Sequence, residues 1–369
     1  LGETELEEHS VAIEAALSIG TCTPSSSPAS RRLAAGAEAL GWAVQKVPQW
    51  HIASSNTSDG RQTMTRTYLP RAFSAGAALI TGCRVQRLVR TAQQTTEAHC
   101  RITTESGPIK HRIRARWVVL CAGAIQTPAI LLRSGLGGPL GQTLQVHPTV
   151  KVAAVFPEDV HAAEIPVHQV KEFSPDLSIG GSASLPSQVA LLLSDTWQES
   201  SSEMSQQRNI GVFYAAVRPQ GSGRVITLPL LRDPMVTYHL TRSDLMLLGK
   251  GLEHLTHLAL AAGANRVWAS MRGAPCATSP DQANLLARNI SRSNISLMSV
   301  HLFSSVPMGE HSSCPADSFG RLKAESCITI NDASLLPTAP GVNPQGTIMA
   351  IAHRNAVRWA QEWSPHRAN

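Results

Sequence analysis

The chain has 369 residues, 43% of them hydrophobic and 16% charged, which is enough apolar material for a sizeable packed core and argues against a disordered chain. Its length suggests roughly two to three domains. Net charge is +6, but the Lys and Arg are scattered and aromatic residues make up only 4%, so nucleic acid is not an expected partner.

No stretch approaches the apolar run of about 20 residues that crosses a bilayer. The chain opens on Leu-Gly-Glu-Thr-Glu-Leu-Glu-Glu, acidic and without Met or a signal pattern. A fragment or processed product in a cytoplasmic compartment is the expectation. The seven cysteines, Cys22, Cys83, Cys100, Cys121, Cys276, Cys314 and Cys327, are odd in number and never at CxxC spacing. A zinc site or a disulfide framework is therefore disfavoured, and reduced, mostly buried thiols are expected.

In chain order, residues 21–31 read as a Ser/Pro-rich loop, followed by a short helix from Leu33 to Leu40 that Gly41 ends. Residues 52–62 read as a polar loop. Strands are expected over 78–89, with a glycine kink, and over 100–104 and 110–121. The last ends in Trp117-Val118-Val119-Leu120-Cys121, the mark of a strand buried on both faces. A tight turn, Ala122-Gly123-Ala124, leads into a helix near Ile125. Six strand-like segments near 149–156, 167–173, 188–193, 211–217, 223–228 and 235–240 suggest an antiparallel sheet. Leu245, Leu248, Leu252, Leu255 and Ala259 repeat at helical spacing over 243–262, with Thr241 or Ser243 as cap and Gly263 as stop. A strand at 327–330, a Pro-rich loop over 336–345 and a helix from near Thr347 to about Trp363 close the chain.

Three segments are suited to chemistry. GAIQTPAILLRSGLG, Gly123 to Gly137, follows a buried strand and makes the turn that brings backbone N–H groups beside a ligand; the same pattern also serves plain packing. SVHLFSSVPMGE places His301 between an apolar segment and a small-residue loop, where it is suited to general base work; for a lone histidine a core position with a satisfied ring is the commoner case. NDASLLPTAPGVNPQGTIMA holds a rigid loop that delivers Asn343 to a helix start, whose free N–H groups suit an electron-accepting atom. His254 and His257 lie three apart with no third ligand, so no metal site is expected. Ser304 and Ser305 lack a G-x-S-x-G elbow, and neither G-x-G-x-x-G nor a Walker loop occurs.

In this order the segments resemble the glucose–methanol–choline (GMC) oxidoreductases. Gly123–Gly137 is similar to that family's second signature, and HLFSSVPMG, SFGRL and DASLLPTAPGVNPQGTIMAIAHRNA to its closing segments. GRQTMTRTYLPRAFSAGAALITGCRVQRL, Gly60 to Leu88, resembles the branch of long-chain alcohol oxidases and cholesterol-oxidase-like enzymes. Val306 departs from the Cys of close relatives, and residues 52–58 lack that branch's cysteines.

The resemblance implies an α/β (α+β) chain: a truncated, Rossmann-like FAD-binding domain plus a substrate domain with a six-stranded antiparallel sheet and flanking helices. Residues 1–77 would be a helical and loop segment on the substrate side, 78–148 part of the FAD domain, 149–300 the substrate domain, and 301–369 the catalytic loop and the return. It implies FAD as cofactor and oxidation of a CH–OH group, with His301 as base and Asn343 beside it. Val85 would meet the adenine, and Ala122 and Gly123 would line the dinucleotide. Asp332 and Ala333 would reach the pyrophosphate, and Pro344 and Gln345 would start the helix under the flavin ring. The family's opening strand and glycine loop would precede Leu1, so weak FAD binding by this chain alone is expected. The expected partners are an alcohol substrate and either that opening segment or a separate electron acceptor. Two other readings stay open: a non-catalytic remnant that holds no FAD, and a lyase on the same scaffold.

Overall fold

The computed structural model describes residues 3–20, 27–52, 60–91, 95–162 and 167–363. The first layer is a six-stranded sheet in the order Arg266–Ala269, Thr149–Val155, Ile210–Val217, Leu177–Ser182, His168–Val170, Val44–Lys46, antiparallel throughout. Because side chains alternate along a strand, its two faces differ. Val150, Val152, Ala154, Phe213, Ala215 and Ile179 pack on Leu248, Leu252, Leu255 and Leu258 of the helix Arg242–Ala261. That helix starts in a capping box in which Thr241 accepts from the Asp244 amide and Asp244 accepts from the Thr241 amide.

The opposite face is divided. At one end Ala153, Val155, Ile210, Val212 and Trp268 are covered by Val189, Leu192 and Leu193. At the other end the register aligns Lys151, Tyr214, Gly180 and Gln169 across four strands, a row with three polar side chains. Gly180 is required there: a Cβ would stand 2.8 Å from the Tyr214 hydroxyl and 2.9 Å from its ring carbon. The tyrosine lies across the space a side chain would fill.

The second layer holds a three-stranded meander, Cys83–Arg90, Thr96–Thr104 and Gly107–Ala115, beside a parallel pair, Val118–Leu120 with Ile328–Ile330. The helices Gly123–Arg133 and Gln345–Trp363 follow the two parallel strands, and Glu3–Leu17 packs on the second of these helices. Leu88, Leu120, Leu131, Ile328, Ile330 and Ile351 share one core.

Several sequence expectations are corrected. The sheet has six strands, but only three of the expected segments belong to it. Residues 188–193 lie in the helix Pro186–Leu193, because a short apolar run fits helix or strand alike and Pro186 sets the first helical turn. The segments near 223–228 and 235–240 form a separate hairpin, Ser222–Ile226 with Met235–His239, whose Val225 packs on Ala124 and Ala129. Their places are taken by Val44–Lys46, Leu177–Ser182 and Arg266–Ala269. The strand ending at Cys121 is not buried on both faces: Val119 is 41% exposed, and among the described residues only Ile328–Ile330 pairs with this strand. Residues 28–31 belong to the helix Pro28–Ala39, capped by Ser27, instead of a loop; residues 21–26, with Cys22, and 53–59 lie outside the described residues. Of the six described cysteines, all free thiols, only Cys100 and Cys327 are buried. Among the described residues no helix is long and apolar enough to cross a membrane.

Candidate active site

The parallel pair sets the site. Its two strands run the same way, so Ala122-Gly123 and Asp332-Ala333 emerge side by side at their carboxyl ends, where open α/β sheets bind ligands. Gly123 turns at φ +79°, which only glycine adopts without strain, and starts a helix there. Asp332 clamps the junction. Its Oδ2 accepts from the Gly123 amide (2.9 Å) and from Thr127 Oγ1 (2.5 Å), and its Oδ1 accepts from the Ser334 amide (2.8 Å) and hydroxyl (2.5 Å). The carboxylate and the Gly123 N–H are thus committed to each other.

A cavity of about 700 Å³ opens between the two layers. His301 and Asn343 both line it, with Gln169, Lys171, Tyr214 and Gln345. His301 is placed by the short strand Leu302–Phe303, which pairs with Gln145–Val146, and by its carbonyl accepting from the His147 amide at 3.1 Å. Burial pushes its pKa below the ordinary histidine value, which favours the neutral ring a base needs. Its Nδ1 lies 3.0 Å from Nδ1 of His147, whose Nε2 donates to the Pro340 carbonyl at 2.8 Å. Asn343 shares the Tyr214 hydroxyl with Gln169, whose amide is 3.3 Å from it. Lys171 Nζ donates to Gln169 Oε1 at 3.0 Å, and burial lowers its pKa.

The helix Gln345–Trp363 begins at the cavity wall. Its first internal bond runs from the Ile348 amide to the Pro344 carbonyl, so the amides of Gln345, Gly346 and Thr347 have no acceptor within the helix. A Cβ built on Gly346 meets nothing within 4 Å, so the backbone is uncovered on that side. Helix-start amides of this kind suit a negative or electron-accepting atom. Ala333 also lines the cavity, whereas Val85 lies in the strand Cys83–Arg90 on the core of the second layer, away from the cavity wall.

The structure thus gathers His301, Asn343, Ala333, Pro344 and Gln345 at one cavity, and Ala122, Gly123 and Asp332 at the strand ends beside it. Sequence reasoning missed His147, Tyr214, Gln169 and Lys171. The one visible signal was Tyr214, a lone hydroxyl in the apolar strand IGVFYAAV. His254 and His257 are engaged elsewhere, His254 stacked on Phe173 at 4.1 Å and His257 3.1 Å from the Pro280 carbonyl.

The GMC oxidoreductase sequence profiles match residues 1–149, as the N-terminal part, and 223–352, as the C-terminal part. An uncharacterised GMC-type oxidoreductase of Sinorhizobium fredii is 36% identical over 346 residues, covering 90% of this chain and 68% of that protein. A long-chain-alcohol oxidase of Arabidopsis thaliana is 25% identical, covering 88% of this chain; the chain spans 48% of its length. An uncharacterised GMC-type oxidoreductase of Mycobacterium tuberculosis is 29% identical, covering 87% of this chain and 53% of its own length. Among solved structures, pyridoxine 4-oxidase from Mesorbium loti superposes with a TM-score of 0.64 at 22% identity, over 91% of this chain and 70% of that one, which places the fold. With the Sinorhizobium relative 36% identical and matched over 68% of its length, and both family profiles satisfied in order, the chain belongs to the GMC oxidoreductase family.

Proposed function

We propose that the cavity is the substrate side of an FAD-dependent site that oxidises a CH–OH group to a carbonyl, with His301 as the proton acceptor. The observation that carries this reading is the meeting of His301 and Asn343, distant in sequence, on one cavity above an open helix start. Bound FAD would supply the hydride acceptor at its ring nitrogen N5. The chain's own residues do the rest. His301, kept neutral by burial, takes the hydroxyl proton as the carbinol hydrogen leaves with its electron pair. Asn343, an amide that cannot act as a base near neutral pH, donates to the same oxygen and is itself steadied by Tyr214. The amides at Gln345, Gly346 and Thr347, at the positive end of a 19-residue helix, suit the charge that builds on the ring. Gln169 and Lys171 beside the apolar Val47, Trp50 and Val300 suit an alcohol with an apolar body and a polar group.

The test is anaerobic bleaching of the bound flavin by alcohols. His301→Gln lowers the bleaching rate about 10²–10⁴-fold with flavin content unchanged. An unchanged rate removes His301 from the reaction, and no bleaching by any alcohol removes the alcohol-oxidising reading.

A further inference from the structure

His147 is not needed by the reaction as drawn, yet it is tied to the residue that is. Its Nε2 lies 2.8 Å from the Pro340 carbonyl oxygen, and its Nδ1 lies 3.0 Å from His301 Nδ1. A carbonyl oxygen only accepts, so Nε2 of His147 carries the proton of that bond. A neutral imidazole has one N–H, so Nδ1 of His147 holds a lone pair. Two Nδ1 atoms in hydrogen-bond contact share one proton, which must then come from His301. We infer that His147 is a positioning residue that holds His301 in its Nδ1–H tautomer and leaves the His301 Nε2 lone pair for the cavity. The inference rests on the reading of His301 as proton acceptor.

The surroundings favour this polarity. His147 is 4% exposed, and burial pushes its pKa down to about 4, so the ring is neutral near pH 7. A charged His147 would donate from both nitrogens and force His301 to present N–H at Nε2, which cannot accept a proton. The plane of the His147 ring is set by Phe303, edge-on at 4.8 Å, and the two imidazoles meet at 84°. The backbone repeats the link, since the His147 amide donates to the His301 carbonyl. When His301 takes a proton at Nε2, its Nδ1–H bond to neutral His147 becomes charge-assisted and strengthens as the charge appears. His147 thereby both selects the reactive nitrogen and stabilises the product cation.

Long-range 1H–15N correlation on the ligand-free chain, labelled with 15N-histidine, reads the tautomers near pH 7.5. His301→Gln assigns the His301 signals by their loss. The parent is expected to show His301 protonated at Nδ1 and bare at Nε2, and His147 the reverse. His147→Phe keeps a ring against Phe303 but removes the acceptor, so His301 shifts towards the Nε2–H form. His147→Asn supplies a carboxamide oxygen in place of Nδ1 and restores the Nδ1–H form. A parent His301 already protonated at Nε2, or one unchanged in His147→Phe, overturns the inference. Should His147→Phe not fold, the parent spectrum and that of His147→Asn decide it. The readout needs neither flavin nor turnover, so it fails or stands separately from the bleaching experiment.

Discussion

A neutral imidazole in an apolar setting makes a protein sensitive to acid. His147 has an ordinary pKa near 6.5 when unfolded and about 4 when folded, with burial as the main cause. Below pH 6.5 the unfolded chain therefore binds a proton that the folded chain refuses, and stability falls with pH until the folded value is passed. The contribution is fully present above about pH 6.5. Between pH 7 and pH 5 it amounts to roughly 2 kcal/mol. Urea melts at those two pH values should show the parent losing about that much more than His147→Phe, which has no proton to take up. Equal losses would mean that the ring is hydrated or already charged. His147 could not be singled out in the sequence, because its partners are 154 and 193 residues away. His301 and Asn343 were legible because each sits in a local pattern, a small-residue loop and a rigid Pro-rich loop.

At the scale of elements, the Asp332 clamp joins two strand ends and a helix start through four hydrogen bonds. Asp332→Ala leaves the Gly123 amide and the buried Thr127 hydroxyl without that acceptor, and should destabilise the chain by about 2–4 kcal/mol. Chemical denaturation checks this, and a loss under about 1 kcal/mol would show that other groups or water take over the donors. What was legible at this scale follows from period. The leucines of Arg242–Ala261 repeat on one face, and the strand at Ile328–Ile330 is short, apolar and followed by turn residues. Leu177–Ser182 was not legible, because Gly180-Gly181 imitates a turn; the reason for glycine there is the ring of Tyr214 on the next strand, across an intervening helical segment. Pro186–Leu193 was misread because an apolar run of this length has no period to separate helix from strand.

For the whole molecule, the two ends of the proposed FAD site are unequally furnished. The ring end has helix amides without an acceptor inside their own helix, whereas at the strand ends the Gly123 N–H is already spent on Asp332 and Val119 is exposed. The chain alone should therefore bind FAD with a Kd above about 1 µM, less than about 8 kcal/mol of binding free energy. Quenching of flavin fluorescence on titration measures it, and tight one-to-one binding would show that the strand ends hold the pyrophosphate unaided. The parallel pair that makes this site also sets how it is reached during folding. Val118 and Thr329 are 211 residues apart, and nearly all of the six-stranded sheet lies in the loop between them. Closing so long a loop loses chain entropy before any contact repays it, unless the intervening residues have already condensed. The sheet is thus the spacer that brings the two strands within reach, and refolding should recover its antiparallel ladder before the cavity exists at all.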